Sequence, residues 1–480
     1  MCDEGIGGWP ARRARISPGR TALLFEDEPT TYAQLSQRIA KLASRLNAAG
    51  VRQGDRVAYL GPNHPSFVET LFATTSLGAI FVPINFRLSA PEVEHVLTDS
   101  GATVLIHAPR DIPENLTVRT VALDDYEAWL TESGVEPAAV TVAPDDVALI
   151  LYTSGTTGRP KGATLTHANL LWNTFNLLIG VDVAGDEVAL VTAPLFHIAA
   201  LAQTLLPTLI KGGCALLTPS WDVDGCFDLI ERHRVTWMFG VTTMYAALAA
   251  SPRWPTADLS SVRSLLCGGA SVPEELVRTY QRRGLVFCQG YGMTETAPGV
   301  TFLEARESRG RAGSAGVPVF FADVRLDTPG TGEIQVKGPN VSPGYWRNRA
   351  ATAAAFTEDG WFRTGDLATV DEDGHYRIVD RLKDMFISGG ENVYPAEVEN
   401  ALFEHPAVTE TAVIGVPDKK WGEVGYAFVV PSGDVSAGDL RDFLLGRLAK
   451  YKVPARFEFV ERLPRTASGK VRKSELRARY

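Results

Sequence analysis

A chain of 480 residues is longer than one hydrophobic core usually supports, so two or more domains are expected. Hydrophobic residues make up 45% of the chain and charged residues 21%, which is typical of a folded α/β protein and excludes fibrous and disordered classes. The formal charge of -9 argues against a nucleic-acid partner, and an anionic ligand would have to be bound by local cations.

Helices and strands alternate along the first part of the chain. The segment from Thr31 to Gly50 predicts an amphipathic helix with Thr31 as its N-cap, because its leucines and isoleucine recur every three or four residues. "DRVAYLG", "ATVLIHA" and "DDVALILYT" predict buried strands, with helical segments between them. This alternation indicates a layered α/β architecture.

An uncharged stretch runs between Glu187 and Lys211, and its length would suit a membrane span. It contains Pro194, His197 and Pro207, so we predict a buried strand, loop and helix, without an integral membrane segment; contact with a membrane surface stays open. The five cysteines form no CxxC pair and no apolar leader is evident, which predicts reduced thiols and a cytoplasmic protein.

The amino-acid composition changes near residue 380. "GEIQVKGPN" and "HYRIVD" predict strands of a small β-rich region, whereas the segment after them predicts a hairpin and a helix that Pro395 opens. We therefore expect domains at 1–380 and 381–480, the second being a small α+β domain. The joint at Asp380 and Arg381 would lie between two strands, which suits a hinge better than a flexible tether.

The loop "LYTSGTTGRPKG", at 151–162, combines glycines and hydroxyl side chains with no acid. Such a loop offers many N–H and O–H donors to a phosphate, and Lys161 adds a positive charge. It is not a Walker A motif, because Pro160 precedes the lysine and Gly162 follows it. A flexible, solvated turn is the alternative interpretation of this segment taken alone.

Five further segments follow the loop in order: "CGGA" (267–270), "QGYGMTET" (289–296), "GWFRTGDLA" (360–368), "DRLKDMFISGGENVYPAEVE" (380–399) and "RTASGKVRK" (465–473). Together the six resemble the adenylate-forming superfamily of acyl-CoA synthetases, luciferases and peptide-synthetase adenylation domains. The resemblance implies two α/β subdomains and a small β-barrel-like region, followed by a mobile C-terminal domain that swings about Asp380. It also implies that ATP, with Mg²⁺, activates a carboxylic acid as an acyl-adenylate before transfer to coenzyme A.

The resemblance also implies roles in nucleotide binding. The phosphate loop would comprise Thr153, Ser154, Gly155, Thr156, Thr157, Gly158 and Lys161. The adenine slot would comprise Gly268, Gly269, Ala270, Gln289, Gly290 and Tyr291. Asp366, assisted by Arg381, would bind the ribose hydroxyls. Thr294 would donate to the α-phosphate and Glu295 would bind Mg²⁺, a cation that prefers oxygen ligands.

Lys470 is the main catalytic candidate, since it resembles the lysine that bridges the substrate carboxylate and the α-phosphate; a solvated cation in a basic tail is the alternative. His197 resembles a histidine that gates acid and thiol access, and would otherwise be a core histidine. Ser388, Gly389 and Gly390 would leave a path for pantetheine. Lys383 and Trp421 are weaker candidates for contact with coenzyme A, and Trp421 could equally be a core residue.

The acyl pocket would be built from small, apolar or neutral residues: Ile198, Ala199, Gln203, Val241, Thr242, Met244, Gly292, Met293, Ala297 and Pro298. Since none of them would pair with a charged tail, an aromatic or aliphatic monocarboxylic acid is expected. "GGWPARRARISP", "YLGPNHPSFVETLFA" and "VPINFRLSAPEVEHVL" resemble actinobacterial feruloyl-CoA synthetases, whereas "DRLKDMFISGGENVYPAEVE" also resembles bacterial fatty acyl-CoA synthetases. We predict a hydroxycinnamic acid such as ferulate, with Gln203 or Thr242 as the donor to a phenolic substituent.

Several alternatives stay open. The acid could be a medium- or long-chain fatty acid. The acyl group could go to a separate carrier protein in place of coenzyme A. A nucleotide-binding regulator without catalysis is a third class, although the candidate catalytic residues argue against it. The oligomeric state is undetermined by the sequence, and a homodimer is compatible with it.

Overall fold

The computed structural model describes residues 5–109, 112, 117–137, 140–153, 160–269, 272–308, 310–388, 391–466 and 470–480. Its fold is mixed α/β, with a large N-terminal domain that carries three sheets and a small C-terminal domain that carries a fourth. The fold class expected from the sequence is confirmed.

The first large sheet has nine strands. In spatial order they are Val317–Pro318, Gly299–Leu303, Phe287–Gly292, Ser264–Cys267, Trp237–Gly240, Val188–Val191, Cys214–Leu217, Thr21–Phe25 and Glu28–Thr31. The six inner strands, from Phe287–Gly292 to Thr21–Phe25, are parallel, so their carboxyl ends share one edge. Binding sites in α/β sheets are usually found at this edge.

The second large sheet has seven strands. They are Gly344–Tyr345, Lys161–Thr166, Val147–Thr153, Ile80–Ile84, Arg56–Leu60, Val104–His107 and Arg119–Ala122 in spatial order. Helix Pro65–Ser76 is buried along most of its length, as expected of a helix that is packed on every side. A single hydrophobic cluster contains residues of both large sheets, for example Phe81 and Trp237, and so joins the two α/β subdomains.

The remaining helices of the large domain cover these sheets: Trp9–Ile16, Tyr32–Ala48, Ala90–Ser100, Leu123–Thr131, His167–Gly180, Ile198–Ala200, Leu206–Lys211, Val223–His233, Thr242–Ala250, Glu274–Arg282, Ala305–Ser308 and Arg349–Ala355. Helix Tyr32–Ala48 confirms the sequence-based expectation. Thr31 forms a capping box with Gln34, and the chain turns at Gly50 with φ +94°.

The uncharged stretch forms strand Val188–Val191, a loop and then a helix, as expected. Between Ile198–Ala200 and Leu206–Lys211 that helix contains a π-helical turn, Leu201–Leu205. Of the helices that the structure describes, none is long and apolar enough to cross a bilayer.

The β-rich region before residue 380 is a four-stranded antiparallel sheet of Asp323–Leu326, Thr331–Lys337, Phe362–Val370 and Tyr376–Arg381. The expected position of the joint differs slightly from the structure. Asp380 and Arg381 are the last residues of a strand and pair with Leu367 and Asp366, so they do not lie between strands. The Ala396 amide donates to Asp380 Oδ2 at 2.8 Å, which connects this strand end to the small domain.

The C-terminal sheet contains Glu391–Val393, Phe386–Ser388, Gly422–Pro431, Val408–Asp418 and Arg456–Phe459. Its helices are Pro395–Phe403, Ala437–Leu445 and Lys473–Arg477. The hairpin and the helix opened by Pro395 are confirmed. The two long strands pair antiparallel from Val408 with Pro431 to Asp418 with Gly422, with a register shift between Val408 and Glu410. The helix Ala437–Leu445 ends at Gly446, its C-cap residue.

Candidate active site

Two neighbouring parallel strands create a slot at the carboxyl edge of the nine-stranded sheet. Strand Ser264–Cys267 pairs with Phe287–Gly292, which brings Gly268 beside Gly290. A Cβ atom at Gly268 would lie 3.0 Å from the Gly290 carbonyl oxygen, so a larger residue would narrow the slot. Gln289 is buried there, and its Nε2 has no hydrogen-bond partner among the described residues. An unpaired amide donor in a slot lined by glycines fits the acceptor nitrogens of adenine.

The structure brings two of the other predicted nucleotide ligands to the same slot. Tyr291 donates its hydroxyl proton to Oδ2 of Asp366 at 2.8 Å, and Nε of Arg381 lies 3.5 Å from Oδ1. Burial raises the pKa of Asp366, whereas Arg381 and Tyr291 favour its ionised form. Gly269 has φ +85°, and Ala270 lies outside the described residues. A carboxylate oriented in this way can accept hydrogen bonds from a ribose.

Glu295 is the second buried acid of the site. It lies in the short turn Thr294–Thr296, and its main-chain oxygen accepts from the Ser342 amide at 2.8 Å. The Tyr345 hydroxyl donates to Glu295 Oε1, also at 2.8 Å. Burial raises the pKa of Glu295, and the nearby Lys470 opposes that rise. A buried carboxylate with an oxygen that accepts no side-chain hydrogen bond from the described residues fits Mg²⁺, which also takes phosphate oxygens.

Of the predicted phosphate loop, the structure describes Thr153 and Lys161, which are paired residues of antiparallel strands. The Lys161 ammonium lies 5.6 Å from the centre of the Tyr345 ring, whose hydroxyl contacts Glu295. Ser154, Gly155, Thr156, Thr157 and Gly158 lie outside the described residues.

Lys470 of the small domain faces the acids of the large domain. The residue as a whole remains exposed, yet the protein around its ammonium and the nearby Arg381 lower its pKa to about 8. Asp366 and Glu295 act in the opposite direction and favour the charged form. The ammonium is thus within electrostatic reach of both the proposed ribose ligand and the proposed metal ligand.

His197 lies near the same lysine. Burial lowers its pKa to about 4, with smaller contributions from Lys470 and Arg87, so the ring is neutral at physiological pH. Its Nε2 is buried and has no hydrogen-bond partner in the described part of the chain. A core histidine would normally have both ring nitrogens satisfied, so this orphaned atom favours a role in binding.

Several residues predicted for the acyl pocket lie together in the structure. Ile198, Met244 and Ala297 belong to one buried cluster, against which Ala199 and Val241 pack. Two glycines allow close packing near the turn at 297–299. A Cβ atom at Gly292 would lie 1.4 Å from the Pro298 oxygen, and one at Gly299 would lie 3.7 Å from Gln203 Nε2. Gln203 itself sits on the π-helical turn, a feature often found at functional sites.

Other pocket candidates fall close to this cluster. Thr242 begins the helix that contains Met244, and its Oγ1 lies 3.8 Å from Cys267 Sγ. Met293 directly precedes the turn that contains Thr294 and Glu295. No residue of the predicted set carries an Asp, Glu, Lys or Arg side chain.

The candidates for coenzyme A separate into two places. Ser388 pairs with Gly422, which follows Trp421, and the indole is 49% exposed with the Lys420 ammonium 4.8 Å from its ring. The alternative of a core tryptophan is therefore wrong. Lys383 instead interacts electrostatically with Arg381 and Asp366, on the ribose side. Gly389 and Gly390 lie outside the described residues.

Sequence reasoning missed two residues of this site. Tyr345 contacts Glu295 and Lys161, and Arg87 acts electrostatically on His197. The segment "SPGYWRN" carried a signal for the first, since an isolated Gly-Tyr between a proline and basic residues is unusual. No signal marked Arg87, whose proximity to His197 arises from tertiary packing.

Two family models match the chain in order. The model described as AMP-binding enzyme matches residues 10–346, and the model described as AMP-binding enzyme C-terminal domain matches residues 397–470. The chain belongs to the AMP-binding enzyme family. The enzyme therefore carries both parts of the family architecture, and the small domain that bears Lys470 is the second of them.

Relatives extend this match over the whole enzyme. A feruloyl-CoA synthase of Amycolatopsis is 55% identical and is aligned over 100% of both chains. A long-chain-fatty-acid–CoA ligase of Mycobacterium tuberculosis is 37% identical, with 98% of each chain covered. The o-succinylbenzoate CoA synthetase of Bacillus subtilis, solved with its acyl-adenylate intermediate, has a TM-score of 0.91 and 37% identity, over 98% of this chain and 97% of that one. The enzyme is an AMP-forming acid–thiol ligase that uses ATP, Mg²⁺ and coenzyme A.

Proposed function

We propose that the enzyme joins a hydroxycinnamic acid, with ferulate as the reference substrate, to coenzyme A. The observation that carries this proposal is the 55% identity to a feruloyl-CoA synthase over the full length of both chains. The uncharged side chains predicted for the pocket support it, because an aromatic monocarboxylic acid needs apolar walls and few polar partners.

In the first half-reaction, the acid carboxylate attacks the α-phosphorus of ATP, and pyrophosphate leaves. Two negatively charged groups must approach each other, so the site has to supply positive charge and hydrogen-bond donors between them. Lys470 is placed to bridge carboxylate and α-phosphate, with Thr294 as a further donor. Asp366 and Arg381 orient the ribose. Gln289, with Tyr291 and the glycines beside it, orients the adenine.

Glu295 would hold Mg²⁺ through the oxygen that Tyr345 does not engage. When bound, the cation neutralises charge on the phosphate oxygens and favours the departure of pyrophosphate. Lys161 and the hydroxyl-rich loop that begins at Thr153 would complete the phosphate cradle.

In the second half-reaction, the thiol of coenzyme A attacks the acyl carbonyl, and AMP leaves. We propose that the domain at 381–480 rotates about Asp380 relative to 1–380, so that Ser388, Gly389 and Gly390 replace Lys470 beside the adenylate. The hydrogen bond from the Ala396 amide to Asp380 supports Asp380 as the pivot, since it connects the strand end to the helix that moves. Neutral His197 would then border the path of acid and thiol.

A substrate panel tests the choice of acid. Purified enzyme with ATP, Mg²⁺ and coenzyme A is given ferulate, p-coumarate, benzoate or decanoate, and both thioester and pyrophosphate are measured. We expect the highest kcat/KM with a hydroxycinnamate. Turnover of decanoate with inactivity on every cinnamate would overturn the proposal and leave the ligase class intact.

A fatty acyl-CoA synthetase is the second candidate. The relative from Mycobacterium tuberculosis and the apolar character of Leu201, Met244 and Phe239 favour it.

Transfer of the acyl group to a separate carrier protein, in place of coenzyme A, is a further variant of the second step. Supplying coenzyme A or a phosphopantetheinylated carrier protein as the acceptor distinguishes the two.

We further propose a cytoplasmic location, where ATP, coenzyme A and reduced thiols coexist. The four cysteines that the structure describes are free, which supports this location. A homodimer is the assembly to test, because Phe320, which packs against the Phe321 ring, is 71% exposed and a second copy could cover it. Light scattering at several protein concentrations would measure it.

A further inference from the structure

Tyr345 contacts a cation and an anion that are both assigned to the nucleotide and its metal. Its hydroxyl donates to Glu295 Oε1 at 2.8 Å, and the Lys161 ammonium lies 5.6 Å from its ring centre. We propose that Tyr345 is a positioning residue that keeps Lys161 and Glu295 apart and oriented, so that each contacts the nucleotide and its metal and not the other. The inference rests on the proposed roles of these two residues.

Strand pairing places the ring beside the lysine. Gly344–Tyr345 is the edge strand of the seven-stranded sheet and pairs antiparallel with Lys161–Thr166. Tyr345 lies directly opposite Ala163, which is two residues from Lys161 and therefore on the same face of the sheet. A diagonal neighbour on one face is within reach of an aromatic side chain.

The backbone around Tyr345 is held from several directions, which fixes the direction of the ring. Its amide donates to Thr352 Oγ1 at 3.0 Å, and the Ser342 hydroxyl donates to the Thr164 oxygen at 2.7 Å. Gly344 has φ +140°, and a Cβ atom there would lie 2.4 Å from Thr352 Cγ2. The glycine is therefore required for this approach.

The same segment also fixes Glu295. The Ser342 amide donates to the Glu295 main-chain oxygen at 2.8 Å, while the Tyr345 hydroxyl donates to its side chain. One short segment, residues 342–345, thus contacts the acid at two points and the strand of Lys161 along its edge. In the described part of the chain, Oε1 is the carboxylate oxygen that accepts a hydrogen bond from Tyr345, and we assign Oε2 to a cation.

A neutral spacer suits this position for an electrostatic reason. If the partly buried Lys161 ammonium paired directly with the buried Glu295 carboxylate, removing either charge from that pair for the nucleotide would be costly. A tyrosine offers a hydrogen-bond donor to the anion and an aromatic face to the cation, and it satisfies both only in part. Both charges therefore remain available when ATP and Mg²⁺ bind.

The two contacts of Tyr345 can be separated by substitution. Tyr345→Phe removes the hydroxyl and keeps the ring beside Lys161, whereas Tyr345→Leu removes both. The matched control is Tyr126→Phe, because Tyr126 donates to Glu69 at 2.6 Å in a buried tyrosine–carboxylate pair outside the site. Thermal melting of each variant checks that the chain is folded.

Calorimetry provides a readout that needs no acid substrate or turnover. Binding of ATP is measured in EDTA and in rising Mg²⁺, and the magnesium dependence of pyrophosphate exchange is measured beside it. For Tyr345→Phe we expect the affinity for ATP in EDTA to stay within about twofold of wild type. We expect the Mg²⁺ concentration that gives half of the full stimulation to rise about tenfold, which is the size of a lost hydrogen bond to a charged group. For Tyr345→Leu we expect both to weaken.

Two results would overturn the inference. One is a Tyr345→Phe enzyme whose Mg²⁺ dependence equals that of Tyr126→Phe. The other is a Tyr345→Phe enzyme whose affinity for ATP falls by the same factor in EDTA as in Mg²⁺. The hydroxyl would then serve the fold or the nucleotide and not the metal ligand. If Tyr345→Leu does not fold, the comparison of Tyr345→Phe with Tyr126→Phe still tests the inference. Failure of the ferulate assignment would appear in the substrate panel alone and leave these binding curves unchanged.

Discussion

Tyr291 and Asp366 lie on strands of different sheets, and the tyrosine hydroxyl donates to Oδ2 of the carboxylate at 2.8 Å. The contact joins the nine-stranded sheet, where the proposed adenine slot lies, to the four-stranded sheet that ends at Asp380. Since burial raises the pKa of Asp366, this hydrogen bond and Arg381 are what favour an ionised ribose ligand. The geometry of the nucleotide site therefore depends on the hydroxyl of Tyr291, a residue that the sequence assigned to the adenine slot.

Tyr291→Phe should weaken binding of the ribose while retaining the aromatic face. We expect AMP to bind about tenfold more weakly by calorimetry, the size of one lost hydrogen bond to a charged group. The preference for ATP over 2′-deoxy-ATP should shrink by a similar factor, because the carboxylate is no longer held toward the hydroxyls. Tyr376→Phe is the control, since Tyr376 donates to a main-chain oxygen of Val324 outside the slot. An unchanged preference for ATP would contradict the assignment of Asp366.

Lys470→Ala should separate the two half-reactions. We expect adenylate formation to fall by about 10² to 10³-fold, the loss seen when one donor to a developing oxyanion is removed. ATP binding should change little, and so should transfer from a supplied acyl-adenylate to coenzyme A, because the lysine leaves the site for that step. Single-turnover assays of each half-reaction measure this. Equal losses in both would indicate a structural role for Lys470.

The pKa of Lys470, about 8, predicts a basic limb in the pH profile of adenylation. The ammonium is charged below that pKa and neutral above it, so kcat/KM should fall as the pH rises through about 8. His197, with a pKa of about 4, is neutral across this range and should add no limb. Lys470→Arg keeps its charge at high pH, and the residual activity of that variant should lose the limb. If the basic limb persists in Lys470→Arg, it arises from the titration of another group.

Local rules were sufficient for much of the fold. Thr31 and Gln34 lie within one turn of each other, so the capping box at the start of the helix Tyr32–Ala48 could be read from adjacent letters. Pro395 marked a helix start for the same reason. The nucleotide ligands were predictable only because their motifs resemble a known superfamily, since Asp366 and Tyr291 are 75 residues apart.

Tertiary packing decided what the sequence left out. The π-helical turn Leu201–Leu205 has the same apolar composition as the regular helix around it, so no periodicity distinguishes it. Tyr345 and Glu295 are 50 residues apart, and their contact depends on how an edge strand meets the turn of another sheet. The strand predicted to end at Asp380 runs to Arg381, because Asp380 and Arg381 pair with Leu367 and Asp366, contacts outside any local window.

Gln203→Leu should change the choice of acid. The Gln203 amide lies against the turn at Gly299, 3.7 Å from where a Cβ atom of that residue would stand, and it projects from the π-helical turn beside the apolar cluster. If it donates to a phenolic oxygen, the leucine should lower kcat/KM for ferulate by about 3- to 10-fold, as for a neutral hydrogen bond, and leave cinnamate, which has no ring substituent, nearly unchanged. Thr242→Val tests the other donor in the same way. An equal loss of kcat/KM for ferulate and cinnamate would mean that Gln203 shapes the pocket without hydrogen-bonding the ring substituent.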